Sequence, residues 1–233
     1  MIFLLSGYLI FFHWIPSFSY STCSTSKMNL LNNYWFFKDG FTKKQCDSII
    51  KNQKKIKKHR GTIGTEGDGN VKANLGTRNS NVSWVVDEEI HKFMFRYIDT
   101  ANKNAGWNFE TSWTEDIQFT EYKKNQHYNW HNDMFAKPYQ KHTFPKYNGL
   151  IRKISCSILL NDPKKYEGGD FEIGYTNNFY KGNIDKHKHS FNKTNAKQGS
   201  VIVFPSFIWH RVTPVTKGTR YSLVSWTLGK PYV

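Results

Sequence analysis

GSVIVFPSFIWHRVTPVTKGTRYSLVSW, residues 199–226, is the stretch that decides the fold. Val, Ile, Phe, Tyr and Thr crowd three short runs at 198–204, 207–213 and 219–228, and Lys217-Gly218 turns the chain ahead of the last. Runs of this composition, bounded by turn residues, read as strands. The same texture extends upstream through 113–122, 127–133, 150–160 and 169–175, with turn signals at Asn161-Asp162-Pro163 and Gly168-Gly169. Residues 176–197 are polar and charged, and read as an insertion loop. Before Trp107 the period changes. Ile90, Phe93, Met94, Tyr97 and Ile98 recur at helical spacing, which predicts an amphipathic helix over Val85–Asn104. Residues 60–77, rich in Gly, Thr and Asp, read as a loop. Residues 34–41 read as a short strand ending in a turn, and Thr42 as the N-cap of a helix with Cys46, Ile49 and Ile50 on one face. Two helices followed by a series of short strands predict an α+β, mainly β chain. Its core is expected to be a double-stranded β-helix, jelly-roll or cupin-like, with N-terminal helices packed outside.

A chain of 233 residues can bury a sizeable core and is read as one domain. Three parts are expected: 1–27 as a doubtful extension or signal-like segment, 28–106 as a strand and helix region, and 107–233 as the β core of the same domain. The apolar run Met1 to Phe12 is shorter than a membrane span, and no Lys or Arg precedes Lys27 as a signal peptide would require. Met28 is therefore read as the effective start, and no stable membrane span is expected. Cys23, Cys46 and Cys156 are odd in number and form no CxxC pair, which points away from a disulfide framework or zinc site and towards a reducing, cytoplasmic setting. The net charge of +15 invites a nucleic-acid reading. Only six of the 33 basic residues are Arg, however, so the charge reads as a Lys-rich solvated surface. The run KNQKKIKKHR (51–60) reads the same way, as a solvated face, and a nucleic-acid partner is not expected.

Chemistry enters with His131-Asn132-Asp133 in a strand-like run, since side chains two apart on a strand share a face. His210, on a later strand, offers a second imidazole if the fold brings it near. Two imidazoles and one carboxylate form the facial triad that suits non-haem Fe(II). Arg220 and Ser222 follow on the last substantial strand. A guanidinium matches a carboxylate with two parallel hydrogen bonds, and a hydroxyl two residues on can join it. Of the remaining histidines, His127 reads as a strand start near solvent, and His187 and His189 as solvated. His59, His91 and His142 show no partner signature. Trp209 and Trp226 are expected in the core.

YEGGDFEIG (166–174) and the 199–226 stretch resemble the prolyl-4-hydroxylase-type Fe(II)/2-oxoglutarate dioxygenases, in particular the bacterial PKHD-like hydroxylases that share an HRVTPVT-type segment. EYKKNQHYNWHND (121–133) is similar to that family's opening at Tyr122, Tyr128, His131 and Asp133, and RNSNVSWV (78–85) to the stretch before its long helix. The resemblance implies that His131, Asp133 and His210 hold Fe(II), and that Arg220 and Ser222 grip the distal carboxylate of 2-oxoglutarate with a hydroxyl from Tyr122. It further implies O2 as co-substrate, succinate and carbon dioxide as products, ascorbate as a reductant, and hydroxylation of a peptide, protein or small molecule. The usual glycines after Tyr122 are replaced by Lys123 to Gln126, and a long loop occupies 134–149. Both border the expected substrate entrance. Two rival readings remain at this level. A nucleic-acid demethylase of the same metal class would carry a second Arg where Trp226 stands, and a non-enzymatic cupin-like module would need neither Arg220 nor Ser222.

Overall fold

Thr42 caps the first helix as its position predicts: its hydroxyl accepts from the Gln45 N–H, and the Gln45 side chain accepts in return from the Thr42 N–H. The computed structural model describes residues 28–64, 71–140, 142–174, 188–191 and 196–232. In chain order these form β1 (Trp35–Phe37), α1 (Lys43–Gln53), β2 (His59–Arg60), β3 (Ile63–Gly64), β4 (Val71–Lys72), β5 (Arg78–Asn79), β6 (Asn81–Val85) and α2 (Glu88–Asn104). There follow β7 (Trp113–Thr114), β8 (Ile117–Tyr122), β9 (His127–His131), β10 (Ile151–Leu159), β11 (Tyr166–Gly168) and β12 (Phe171–Gly174). The last are β13 (Lys188–Phe191), β14 (Val201–Pro205), β15 (His210–Val212), β16 (Val215–Gly218) and β17 (Arg220–Gly229).

Two antiparallel sheets face each other. The larger runs β1-β14-β10-β17-β8-β6-β2, with β7 also on β17; the smaller runs β13-β12-β15-β9-β5. Alternation along the strands sorts the two faces of the larger sheet. Ile154, Cys156, Ile158, Val201, Val203, Phe119 and Leu223 join Cys46, Ile49, Met94 and Ile98 of the helices in one buried cluster. The helices therefore cover the outer face. The alternate residues, among them Ser155, Ile202, Phe204, Thr120 and Ser222, turn toward the smaller sheet. The result is the expected double-stranded β-helix with helices packed outside.

Several boundaries differ from expectation. The second helix starts at Glu88 because Asp87, extended at φ −152°, accepts from the Glu89 and Ile90 N–H groups, and Asn81–Val85 belongs to β6 instead. The 60–77 loop contains the end of β2 and the β3–β4 ribbon. The 113–122 run is divided into β7 and β8, and β16, not foreseen as a strand, pairs with β11. Gly168 and Gly169 do form the predicted turn, both at positive φ, and a Cβ on Gly168 would lie 2.2 Å from the Pro214 carbonyl oxygen. The 176–197 insertion contributes β13, which pairs with β12; 175–187, including His187, and 192–195 lie outside the described residues, as do 1–27 with Cys23. Cys46 and Cys156 are free and buried. Among the described residues no helix is long and apolar enough to cross a membrane.

Candidate metal centre

His131 and His210 are directly opposed across the β9–β15 pair, which points both rings to one face with centroids 4.1 Å apart. Asp133 reaches them differently from the way its spacing suggests. The strand ends at His131, so the pleat does not carry the carboxylate round. The N–H groups of Asp133 and Met134 both donate to the Ser206 carbonyl, at 2.9 and 3.0 Å, in the turn that leads to His210. That carbonyl pulls the carboxylate in. Asp133 Oδ1 lies 3.7 Å from His131 Nε2 and Oδ2 lies 3.5 Å from His210 Nε2. One donor atom from each of the three side chains falls within 4.8 Å of the others.

The protonation pattern suits a cation. Nδ1 of His131 lies 2.7 Å from the Asn129 carbonyl, and Nδ1 of His210 lies 3.0 Å from that of Ile208. A carbonyl only accepts, so Nδ1 carries the hydrogen in each ring and Nε2 presents a lone pair to the centre. Burial, reinforced by His210, holds the pKa of His131 well below its ordinary value. For Asp133 burial acts upward, but His210, His131, Arg152 and the Ser155 hydroxyl together outweigh it and leave the carboxyl at about 2. Neutral His131 beside an ionised carboxylate is the state in which such ligands bind a divalent transition metal.

Tyr128 stacks flat on His131 at 3.4 Å, and the Arg78 guanidinium lies 4.7 Å from the Tyr128 ring. Phe204 meets His210 edge-on at 4.7 Å. The centre opens into a cleft of about 290 Å³ lined by Ile63, Tyr128, His131, Asp133, Phe135 and Arg152, among others. Arg152 was not foreseen. A bulge between Arg152 and Ile154 inserts one extra residue into β10, so Arg152 and Ser155 share the inner face while Lys153 turns away. Glu115 receives Arg152 through two bonds, at 2.7 and 2.6 Å, and Trp226 lies under the guanidinium at 3.9 Å. The Tyr139 hydroxyl donates to Glu115 at 2.9 Å, so the 134–149 loop is tied to the cleft wall.

Arg220, at the start of β17, is paired with Tyr122 at the end of β8, and Ser222 follows two residues on along the same face. Arg220 Nη1 donates to the Ser222 hydroxyl at 3.0 Å, and the guanidinium carbon lies 5.6 Å from the Tyr122 ring centre. The guanidinium is only 4% exposed, and among the described residues no carboxylate pairs with it. A buried cation whose hydrogen-bond partner is a neutral hydroxyl is set to receive an anion. Burial raises the Tyr122 pKa, which keeps its hydroxyl a donor.

The remaining expectations sort cleanly. His127 begins β9 and contacts the Gly76 carbonyl at 3.3 Å. His59, His91 and His142 take no part in the cluster. Trp226 is buried as expected, whereas Trp209 is only half-buried. Ser155, Ser206 and Glu115 gave no signal in the sequence, and Arg78 figured only as the first residue of the 78–85 stretch. For Arg152 the only hint was a pair of cations interrupting an apolar strand.

The sequence family described as the 2OG-Fe(II) oxygenase superfamily matches residues 117–228. A PKHD-type hydroxylase of Xylella fastidiosa is 32% identical over 111 residues, covering 47% of this chain and 42% of that protein. The chain thus spans less than half the length of the curated relatives it matches. Among solved structures, a Pseudomonas putida prolyl-4-hydroxylase superposes with a TM-score of 0.60 at 14% identity, covering 84% of this chain and 93% of that one. A prolyl hydroxylase from Trichoplax adhaerens, in complex with a hypoxia inducible factor peptide fragment, superposes with a TM-score of 0.58 at 16% identity and 84% coverage of both chains. At such identities these two speak for the fold alone. His131, Asp133 and His210 all lie within residues 117–228, the stretch that is similar to the 2OG-Fe(II) oxygenase superfamily.

Proposed function

We propose that this protein is an Fe(II)- and 2-oxoglutarate-dependent dioxygenase that hydroxylates a C–H bond, releasing succinate and carbon dioxide. His131, Asp133 and His210 hold the iron, and Arg220, Ser222 and Tyr122 take the distal carboxylate of 2-oxoglutarate. Iron, once bound with this co-substrate, supplies the activation of O2. The chain's own part is to place the co-substrate, aim both Nε2 atoms at the metal and wall the reacting centre from water. The observation that carries the reading is Arg220: a buried guanidinium without a carboxylate partner among the described residues, on the larger sheet that faces the strands of His131 and His210. A metal-binding module without co-substrate would have no use for it.

The substrate we favour is a prolyl residue in a peptide or protein, because the relatives and structural neighbours carry hydroxylase names and one neighbour holds a peptide. The nucleic-acid alternative is disfavoured because Trp226, where a second arginine would stand, is buried under Arg152. The free thiols of Cys46 and Cys156 support a reducing compartment. The test is succinate release with Fe(II), 2-oxoglutarate and ascorbate across proline-bearing peptides, free amino acids and methylated oligonucleotides. Stimulation by peptide supports the reading, and stimulation by oligonucleotide alone overturns the substrate class. No 2-oxoglutarate turnover under any condition, with no binding of it, overturns the enzyme.

A further inference from the structure

We propose that Ser155 and Ser206 form a directed hydroxyl relay that reserves a single oxygen of Asp133 for the metal. This rests on the reading that His131, Asp133 and His210 bind one. The Ser155 hydroxyl donates to Asp133 Oδ2 at 2.8 Å and lies 2.9 Å from the Ser206 hydroxyl. A hydroxyl has one proton to give. Because Ser155 gives its proton to the carboxylate, the Ser206 hydroxyl must donate to Ser155, which fixes the order Ser206 to Ser155 to Asp133. Both serines are fully buried, so bulk water does not compete for these bonds. The Ser206 carbonyl meanwhile holds the backbone of Asp133 and Met134. One residue therefore restrains the carboxylate twice, through its backbone oxygen and through its hydroxyl.

The consequence is a count of coordination positions. A free carboxylate can turn and chelate a cation through both oxygens. With two imidazoles, that occupies four of the six positions of an octahedral ion. Two would remain, too few for a co-substrate held by two atoms together with O2. Tying Oδ2 to Ser155 leaves Oδ1 as the ligand and keeps three positions open. Ser155 and Ser206 are positioning residues: they touch neither metal nor substrate and act through Asp133.

Co(II), a visible-absorbing stand-in for Fe(II), tests the relay without turnover. Full-length wild type, Ser155→Ala and Ser206→Ala are titrated with Co(II), and the melting temperature of each metal-free protein is recorded alongside. Ser155→Ala is expected to bind Co(II) about 10–100-fold more weakly, with an altered ligand-field spectrum. Ser206→Ala, which keeps the backbone restraint, is expected to show a smaller loss in the same direction. Wild-type affinity and spectrum in Ser155→Ala overturn the relay, as does a lower melting temperature with unchanged Co(II) binding. A larger loss in Ser206→Ala than in Ser155→Ala overturns its direction. Should Ser155→Ala fail to fold, Ser206→Ala decides, and undiminished binding there sinks the proposal. Wild type that takes up no Co(II) overturns the metal reading itself, a result distinct from all of these.

Discussion

Asp133 is the only anion among the three ligands, and its carboxyl stays ionised down to about pH 2 because two imidazoles and a serine hydroxyl face it. Asp133→Ala leaves two neutral rings around a dication with no counter-charge. We expect metal uptake and turnover both to disappear, as measured by metal content after gel filtration and by succinate release; retained turnover would contradict the ligand assignment. Arg220 is the residue proposed to hold the other end of the co-substrate. Arg220→Ala removes a charge-assisted pair of hydrogen bonds worth about 2–4 kcal/mol. The 2-oxoglutarate concentration needed for half-maximal succinate release should rise steeply while Co(II) binding stays put. An unchanged requirement would move the anchor elsewhere, with Arg78, buried and also without a carboxylate partner among the described residues, the next to test. Both residues stood out in the sequence because spacing and side-chain type together suggested a chemistry for them. Ser155 and Ser206 were not, since a serine in a strand or turn looks the same whether or not a carboxylate lies across from it.

Elements show where local rules hold and where they give way. The Thr42–Gln45 capping box follows from four adjacent residues, and its contribution is local. Thr42→Ala should lower stability by about 1 kcal/mol in urea unfolding, with no effect on metal binding; no loss at all would mean α1 is held by packing alone. The bulge in β10 is different. It turns Arg152 into the cleft, where Glu115 and Trp226 hold it. Arg152→Ala would strand the Glu115 carboxylate, which is buried, without its guanidinium. We expect a loss of about 3–5 kcal/mol in the unfolding free energy. A loss below about 1 kcal/mol would show that Glu115 finds water or another partner. The 150–160 run was legible as a strand from composition, but the bulge was not: its cause is the pairing with β17, which no window on β10 contains.

Across the whole molecule, protonation of the centre couples to folding. The unfolded chain protonates His131 near its ordinary value of 6.5, while the folded chain resists it because of burial and His210. The unfolded state therefore binds more protons below that pH, and stability must fall as pH drops through it. Asp133 adds a second loss at lower pH, as the unfolded carboxyl protonates near 3.8 and the folded one only near 2. Metal-free protein should show a urea midpoint that declines from pH 7 to pH 5, and His131→Gln should flatten that decline; parallel curves would remove His131 as its source. The sequence by itself determined the three clustered donor side chains and the β-rich architecture with its outer helices, because periodicity and residue chemistry are written locally. Tertiary structure alone decided how Asp133 leaves its strand to meet the histidines, which of its oxygens a serine holds, and that Arg152 and the 134–149 loop wall the cleft. Those outcomes depend on hydrogen bonds and register between segments far apart in the chain, and no local pattern encodes the geometry in which such segments meet.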